Sequence, residues 1–125
     1  MLERLAVIFA GGCVGGYARY AVSQAWPSAT YAFPWSTFTV NLVGSFVLGV
    51  VVVLATNRRG SRQLRLLVGT GFCGALTTYS TFGYETLHLA MRGDRAGAWW
   101  NIGISTFVGV AAAGHGWSLG TALSR

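Results

Sequence analysis

Four apolar runs of about 20 residues, separated by short loops, constrain this chain more than any other feature. A run of that length spans the hydrocarbon core of a bilayer as an α-helix, and four of them leave little chain for a soluble domain. We therefore predict an all-α, multi-pass membrane protein in which 1–125 is a single domain with four transmembrane helices. The predicted spans are about 2–26, 34–56, 64–91 and 96–119.

Composition and charge agree with this class. Hydrophobic residues make up 53% and charged residues 10% of the 125 residues, against roughly 25% charged in soluble domains. The net charge is +6, and most arginines lie in short loops between apolar runs, which favours orientation signals over nucleic-acid binding. Cys13 and Cys73 fall inside predicted spans, so we expect two small buried residues rather than a disulfide.

The third span is unusually polar for a membrane helix. About half of 69–85, G-T-G-F-C-G-A-L-T-T-Y-S-T-F-G-Y-E, is Gly, Thr or Ser. Backbone leaves helical geometry at bilayer depth only where protein or a polar cavity satisfies the freed groups. We predict that the third helix is broken and that a site lies at the break.

Neutral polar side chains recur on three spans. In span two, Thr37, Asn41 and Ser45 follow at i, i+4, i+8 and share one helix face. The Asn41 amide needs partners in hydrocarbon, which helix–helix bonding and pore lining explain equally well. The other two groups are Ser80 and Thr81 with nearby threonines in span three, and Asn101, Ser105 and Gly109 in span four.

These groups suit an anion path, since they offer O–H and N–H donors without carboxylate repulsion. Arg19 is the only arginine that lies away from the ends of a predicted span, and it either extends to lipid headgroups or flanks the path. Tyr79 and Phe82 are three residues apart and can present two rings to one side. Glu85 we expect to cap or pair with Arg19 or a backbone donor, rather than to orient pore groups. Four helices enclose little volume, so we expect a second subunit.

The sequence contains no nucleophile–base set, paired carboxylates or phosphate-binding loop, so we do not expect an enzyme.

Three segments resemble the fluoride channel family known as Fluc or CrcB. They are G-G-C-V-G-G-Y-A-R-Y at 11–20, F-P-W-S-T-F-T-V-N-L-V-G-S-F at 33–46 and G-F-C-G-A-L-T-T-Y-S-T-F at 71–82. The third segment is the most specific, and the resemblance covers nearly the whole chain.

The resemblance implies an antiparallel dimer in the cell membrane that passively exports fluoride from the cytoplasm and relieves fluoride toxicity. It also implies a central structural Na⁺, held by the backbone carbonyls of Gly74 and Thr77. The residues that match the family's anion path are the aromatic pair Tyr79 and Phe82, Asn41, the span-four track Asn101, Ser105 and Gly109, and Arg19 near the vestibule.

Three positions depart from the family pattern. Tyr79 stands where Phe is usual, Asn101 where the track usually begins with Tyr, and Gly109 where a hydroxyl is common. The arginines are also asymmetric: with the N-terminus inside, two lie outside (Arg92, Arg95) and six inside (Arg4, Arg58, Arg59, Arg62, Arg65, Arg125). Such a bias fixes orientation. An alternative to the homodimer is therefore a subunit that is active only with an oppositely oriented homologue.

Two further alternatives remain open. A small multidrug-type exporter also has four spans, but it needs an acid in the first span, where this chain has only the terminal Glu3. A non-conducting membrane helper that only assembles with other subunits is the second.

Overall fold

The computed structural model describes residues 1–27, 33–57 and 61–125, and all regular structure in them is helical. We number five helices. They are α1 (Leu2–Ala25), α2 (Trp35–Asn57), α3 (61–76), α4 (Tyr79–Met91) and α5 (Arg95–Leu123). Helix α3 is continuous but not uniform, because a π-helix, Arg65–Cys73, lies between the α-helical turns Ser61–Leu64 and Gly74–Leu76.

Two of the described helices, Leu2–Ala25 and Trp35–Thr56, are long and apolar enough to cross a membrane. The 29 residues of α5 are also long enough at about 1.5 Å per residue. Helices α3 and α4 together cover the third predicted span. Crossing of the bilayer by all four segments stays a prediction.

Helix α1 packs on α3 through two glycines. A Cβ at Gly11 would overlap the carbonyl oxygen of Leu67, and one at Gly15 would overlap that of Phe72. The neighbouring Gly12 and Gly16 face open space within the chain. Of the two small-residue pairs in α1, one therefore allows close helix contact and the other is uncovered.

Helices α2 and α5 form the most extensive contact of the fold, again through small residues. A Cβ at Gly49 would overlap the Ala113 carbonyl oxygen, and one at Gly116 would overlap that of Phe46. Helix α3 also contacts α2, and α4 contacts α5, so both halves of the third predicted span lie beside this pair of helices.

The turn between α4 and α5 has a Schellman geometry. Gly93, with φ 91°, is the only residue with positive φ in the described chain, and its N–H donates to Ala90 O at 3.1 Å. The Asp94 N–H donates to Leu89 O at 3.0 Å, and the Asp94 carboxylate then accepts from the Gly97 N–H at 2.7 Å. One turn thus ends α4 and caps the start of α5.

Two expectations change. Cys73 is buried as predicted, but Cys13 is exposed, because it lies on the side of α1 away from α3; both thiols are free. Arg58 and Arg59, which contribute to the predicted inner arginine count, lie outside the described residues.

Candidate functional site at the helix break

The third predicted span breaks between α3 and α4. Thr77 has φ −79° and ψ 154°, and Thr78 has φ −150° and ψ 117°, so two residues are extended between two helices. The prediction of a broken third helix is confirmed. The Thr77 hydroxyl donates to Cys73 O at 2.9 Å, so it bonds a carbonyl in the last turns of α3.

Asn41 of α2 holds the break. Its Nδ2 donates to Thr78 O at 3.2 Å, and its Oδ1 accepts from the Thr78 N–H at 2.7 Å. The amide thus pairs both backbone groups of one extended residue, as a neighbouring strand would. Of the two roles predicted for Asn41, these contacts correspond to bonding between neighbouring segments. Asn41 also lines the cavity discussed below.

Two backbone carbonyls lose their helical hydrogen-bond donors at the break. In a continuous helix, the N–H groups of Thr78 and Thr81 would donate to the carbonyls of Gly74 and Thr77. Here the Thr78 N–H donates to Asn41 and the Thr81 N–H donates to Thr78 Oγ1 at 3.2 Å. The Gly74 and Thr77 carbonyls therefore lose their usual helical donors, and unpaired backbone oxygens are suitable ligands for a hard cation.

Thr78 caps helix α4. Besides accepting from the Thr81 N–H, its hydroxyl donates to Thr81 Oγ1 at 3.0 Å and lies 3.2 Å from Ser80 Oγ. The predicted residues Ser80 and Thr81 thus belong to the N-terminal turn of α4, where both side chains are exposed.

The rings of Tyr79 and Phe82 are neighbours, with centroids 5.8 Å apart and planes inclined by 43°. Phe82 is half-buried, whereas Tyr79 is 85% exposed. The sequence prediction that both rings lie on one side is consistent with this geometry. The chain itself covers very little of Tyr79.

A chain of hydrogen bonds connects α5 to the turn that carries Phe82. Ser105 donates to Asn101 Oδ1 at 3.1 Å, and Asn101 Nδ2 donates to Thr86 Oγ1 at 2.8 Å. The Thr86 hydroxyl in turn donates to Phe82 O at 2.7 Å. Asn101 is only 1% exposed and does not line the central cavity, so its contacts position α4 on α5.

Glu85 pairs with neither Arg19 nor a backbone donor. Its Oε1 accepts from the Thr37 hydroxyl at 2.9 Å, because Thr37 of α2 faces the middle of α4. Its Oε2 is buried and has no hydrogen-bond partner among the described residues. This expectation is corrected: the partner of Glu85 is a hydroxyl on another helix.

Two cavities adjoin the break. The central one, about 360 Å³, brings together Asn41, Tyr79, Phe82 and Ser105 with Gly74, Thr77 and Gly109. The second, about 330 Å³, contains Arg19 with hydroxyls of α1, α2 and α4, including Ser23, Ser36, Thr37 and Thr81. Thr78 lines both, so the extended residue forms the boundary between a hydroxyl-lined cavity with a cation and one with aromatic rings.

Sequence reasoning placed Thr37 in a polar stripe without identifying its partner, and it did not single out Thr78 or Thr86 as individual site residues. Thr78 carries a local signal, because a Thr just before a helical run is a common N-cap. No local pattern indicates the partners of Thr37 and Thr86, which are Glu85, 48 residues away, and Asn101, 15 residues away.

The chain matches known proteins over most of its length. The profile of the family described as "CrcB-like protein, Camphor Resistance (CrcB)" matches residues 6–117. The "Fluoride-specific ion channel FluC" of Methanococcus aeolicus is 48% identical over 88 residues, which cover 70% of this chain and 71% of that protein.

Two relatives match over more of the chain. "Fluoride-specific ion channel FluC 1" of Frankia casuarinae is 42% identical over 95% of this chain and 94% of that protein. The protein of the same name from Streptomyces avermitilis is 44% identical over 86% of this chain and 87% of its own length. These relatives are named as ion channels rather than as enzymes. The chain belongs to the CrcB/FluC family of fluoride-specific ion channels.

Proposed function

We propose that this chain is a subunit of a fluoride channel that lets fluoride leave the cytoplasm passively and so relieves fluoride toxicity. Family membership supports the ion, and the paired rings of Tyr79 and Phe82 beside the break are the observation that carries the path. The positive edges of aromatic rings attract an anion without binding it as tightly as a fixed cation.

The path would begin at the cavity that contains Arg19. There a guanidinium attracts fluoride and hydroxyl groups replace part of its hydration shell. The ion would then pass Thr78, whose residue borders both cavities, and reach the ring edges of Phe82 and Tyr79. Asn41, Asn101 and Glu85 would act by holding helices in place, since their polar contacts are to other residues of the chain.

The test is fluoride efflux from proteoliposomes, followed with a fluoride electrode. Phe82→Ile keeps most of the side-chain bulk but removes the ring edge. With an edge contact worth about 0.5–1.5 kcal/mol, flux should fall about two- to tenfold. Phe107→Ile is the matched control, because Phe107 is 79% exposed on α5 and does not line the central cavity. Unchanged flux in Phe82→Ile would remove the ring from the path.

A dimer is part of the proposal. An 85% exposed Tyr79 ring beside an open cavity leaves the anion path incomplete within one chain. An oppositely oriented second copy would cover this side and place its own Gly74 and Thr77 carbonyls near those of the first. Crosslinking in the bilayer should give a dimer, and efflux from a monomeric, crosslink-resistant preparation would contradict this part.

The freed carbonyls of Gly74 and Thr77 fit a resident Na⁺. A bound Na⁺ would offset the negative ends of these dipoles and link the two subunits. Because its ligands are backbone atoms, the test changes the ion: the thermal midpoint and fluoride flux should both rise when Na⁺ replaces N-methylglucamine. Equal midpoints in the two salts would exclude a structural Na⁺.

A heterodimer is the second candidate, favoured by Tyr79 and Asn101 at positions where the family usually has other residues. The purified chain alone would then give no efflux, and coexpression with an oppositely oriented homologue would restore it. Strong efflux from the chain alone would leave the homodimer as the account.

A further inference from the structure

A cavity of about 200 Å³ lies between the first turn of α1 and the first turns of α3, far along the chain from the break. It is lined by Glu3, Arg4, Val7, Arg62, Gln63 and Leu66. The volume is several times the roughly 30 Å³ that one water occupies in the liquid. We call it the arginine pocket.

The two helices contribute matching sets of residues. Each presents positions i, i+1 and i+4 of one face, so that two guanidinium groups and two aliphatic side chains border one space. The aliphatic residues, Val7 and Leu66, are half-buried, while Arg4 and Arg62 are exposed at the helix ends. The pocket is therefore cationic on one side and apolar on the other.

The one acid of the pocket is already engaged. Glu3 Oε1 accepts from Gln63 Nε2 at 2.8 Å, a neutral donor, and neither Arg4 nor Arg62 forms an ion pair with any described residue. Two like charges that border one cavity repel each other unless an anion lies between them. The pocket thus has room and charge for an oxyanion that none of the described residues supplies.

We propose that the arginine pocket binds the phosphate headgroup of an anionic membrane lipid. Guanidinium groups bind phosphate oxygens in bidentate fashion, and basic pockets between membrane helices bind anionic headgroups. The aliphatic side favours a lipid over free phosphate, because Val7 and Leu66 can contact the glycerol and the first methylenes of an acyl chain. This inference is independent of the ion path.

The position of the pocket agrees with this assignment. Arg4 and Arg62 belong to the arginine-rich end of the chain, which lies on the cytoplasmic side in a copy whose N-terminus is inside, where anionic lipids attract basic groups. A bound lipid would link α1 to α3 at the end opposite the Asn41 contact.

The test measures lipid retention by the full-length protein in detergent, with native mass spectrometry as the readout. Phosphatidylglycerol is the probe, and phosphatidylcholine and millimolar inorganic phosphate are the comparisons. An arginine near an anionic surface is worth about fivefold in binding, so Arg4→Gln with Arg62→Gln should weaken phosphatidylglycerol retention about 30-fold. Phosphatidylcholine should be retained equally by all variants.

Two matched variants sharpen the result. Arg125→Gln removes an arginine that does not line the pocket, and screening should keep its effect within about twofold. Glu3→Gln keeps an acceptor for Gln63 but removes the one negative charge, so it should strengthen retention. Fluoride flux in phosphatidylcholine liposomes should be the same in every variant, which separates this site from the proposed ion path.

Three outcomes would overturn the proposal. They are equal losses in Arg125→Gln and in the double variant, equal retention of the two lipids by the unmodified chain, and displacement of phosphatidylglycerol by inorganic phosphate, which would assign the pocket to free phosphate. Helix content measured by circular dichroism identifies any variant that fails to fold. In that case the single substitutions, each expected to cost about fivefold, decide the question.

Discussion

The segment that carries the break is held by two neighbours in two different ways. Before the break, α3 contacts α1 through glycines that bring backbone against backbone at Leu67 and Phe72. At the break, Thr78 contacts α2 through the two hydrogen bonds of Asn41. The first contact depends on the absence of a Cβ atom at the glycines and sets the distance between the two helices. The second contact depends on the donor and acceptor of the Asn41 amide and sets the orientation of one extended residue.

The largest effect is expected where the first contact is disturbed. Gly11→Ala places a Cβ against the backbone of Leu67, which cannot rotate away as a side chain can. Overpacking costs about 1–3 kcal/mol, and we expect about 2–3 kcal/mol here, after any gain in helix propensity. Unfolding in mixed micelles with increasing dodecyl sulfate measures the loss.

Gly12→Ala is the control for this prediction. Its Cβ would point into open space, so the same substitution one residue away should be neutral or stabilise α1 by up to about 1 kcal/mol. Equal destabilisation by both would mean that the helix tolerates no Cβ on either side, and the distinction between the two faces of α1 would be lost.

A smaller effect is expected at the second contact. Asn41→Leu leaves the N–H and C=O of Thr78 without these partners, and we expect a loss of about 2 kcal/mol, about 1 kcal/mol for each group. Hydrogen bonds between membrane helices contribute about 0.6–1.7 kcal/mol each. We therefore use the low end of the range of about 1–3 kcal/mol for each unsatisfied buried group. Fluoride flux should fall by more than the loss of folded protein accounts for, because Thr78 borders both cavities.

Thr56→Val is a control on the same helix. The Thr56 hydroxyl is exposed and donates to the Val52 carbonyl of its own helix, so its loss should change the free energy of unfolding by less than about 0.5 kcal/mol. If Asn41→Leu were equally mild, the break would be held by something other than the amide.

The smallest effect is expected farther from the break. Thr86→Val removes the link between Asn101 and the Phe82 carbonyl, and leaves the buried Asn101 amide without this acceptor. One such group costs about 1 kcal/mol. A Thr86→Ser variant keeps the hydroxyl and should restore most of the stability. Failure of Ser to do so would assign the effect to the lost methyl group.

The sequence was informative where the signal is local. The density of Gly, Thr and Ser in 69–85 predicted a break, which lies at Thr77 and Thr78. The first helix ends at Ala25 and the second begins at Trp35, each within one residue of the predicted bounds. The last helix continues to Leu123, four residues past the prediction of 119, because Gly120 packs closely against Val50 and Val53 of α2 instead of ending the helix.

The sequence was less informative where partners are distant along the chain. Asn41 fitted two roles because nothing in its own helix indicates Thr78, which lies 37 residues away. The same reason explains Glu85, for which Arg19 was proposed as the cation that lies well within a span, while the partner is the neutral Thr37. Asn101 shares a stripe with Ser105, and helical periodicity does not distinguish a stripe that faces a cavity from one that faces another helix.

The π-helix Arg65–Cys73 bears on how insertions and deletions would act in this chain. Each i to i+5 turn holds one residue more than an α-helical turn, so this stretch contains surplus chain length. Deleting one residue there would let the stretch relax towards α-helical geometry and keep the two ends of α3 near their present rotation, whereas the same deletion in an α-helical stretch would rotate them by about 100°. The arginine pocket at one end of α3 and the break at the other should therefore tolerate a one-residue deletion within Arg65–Cys73 better than a deletion in an α-helical part of the same span.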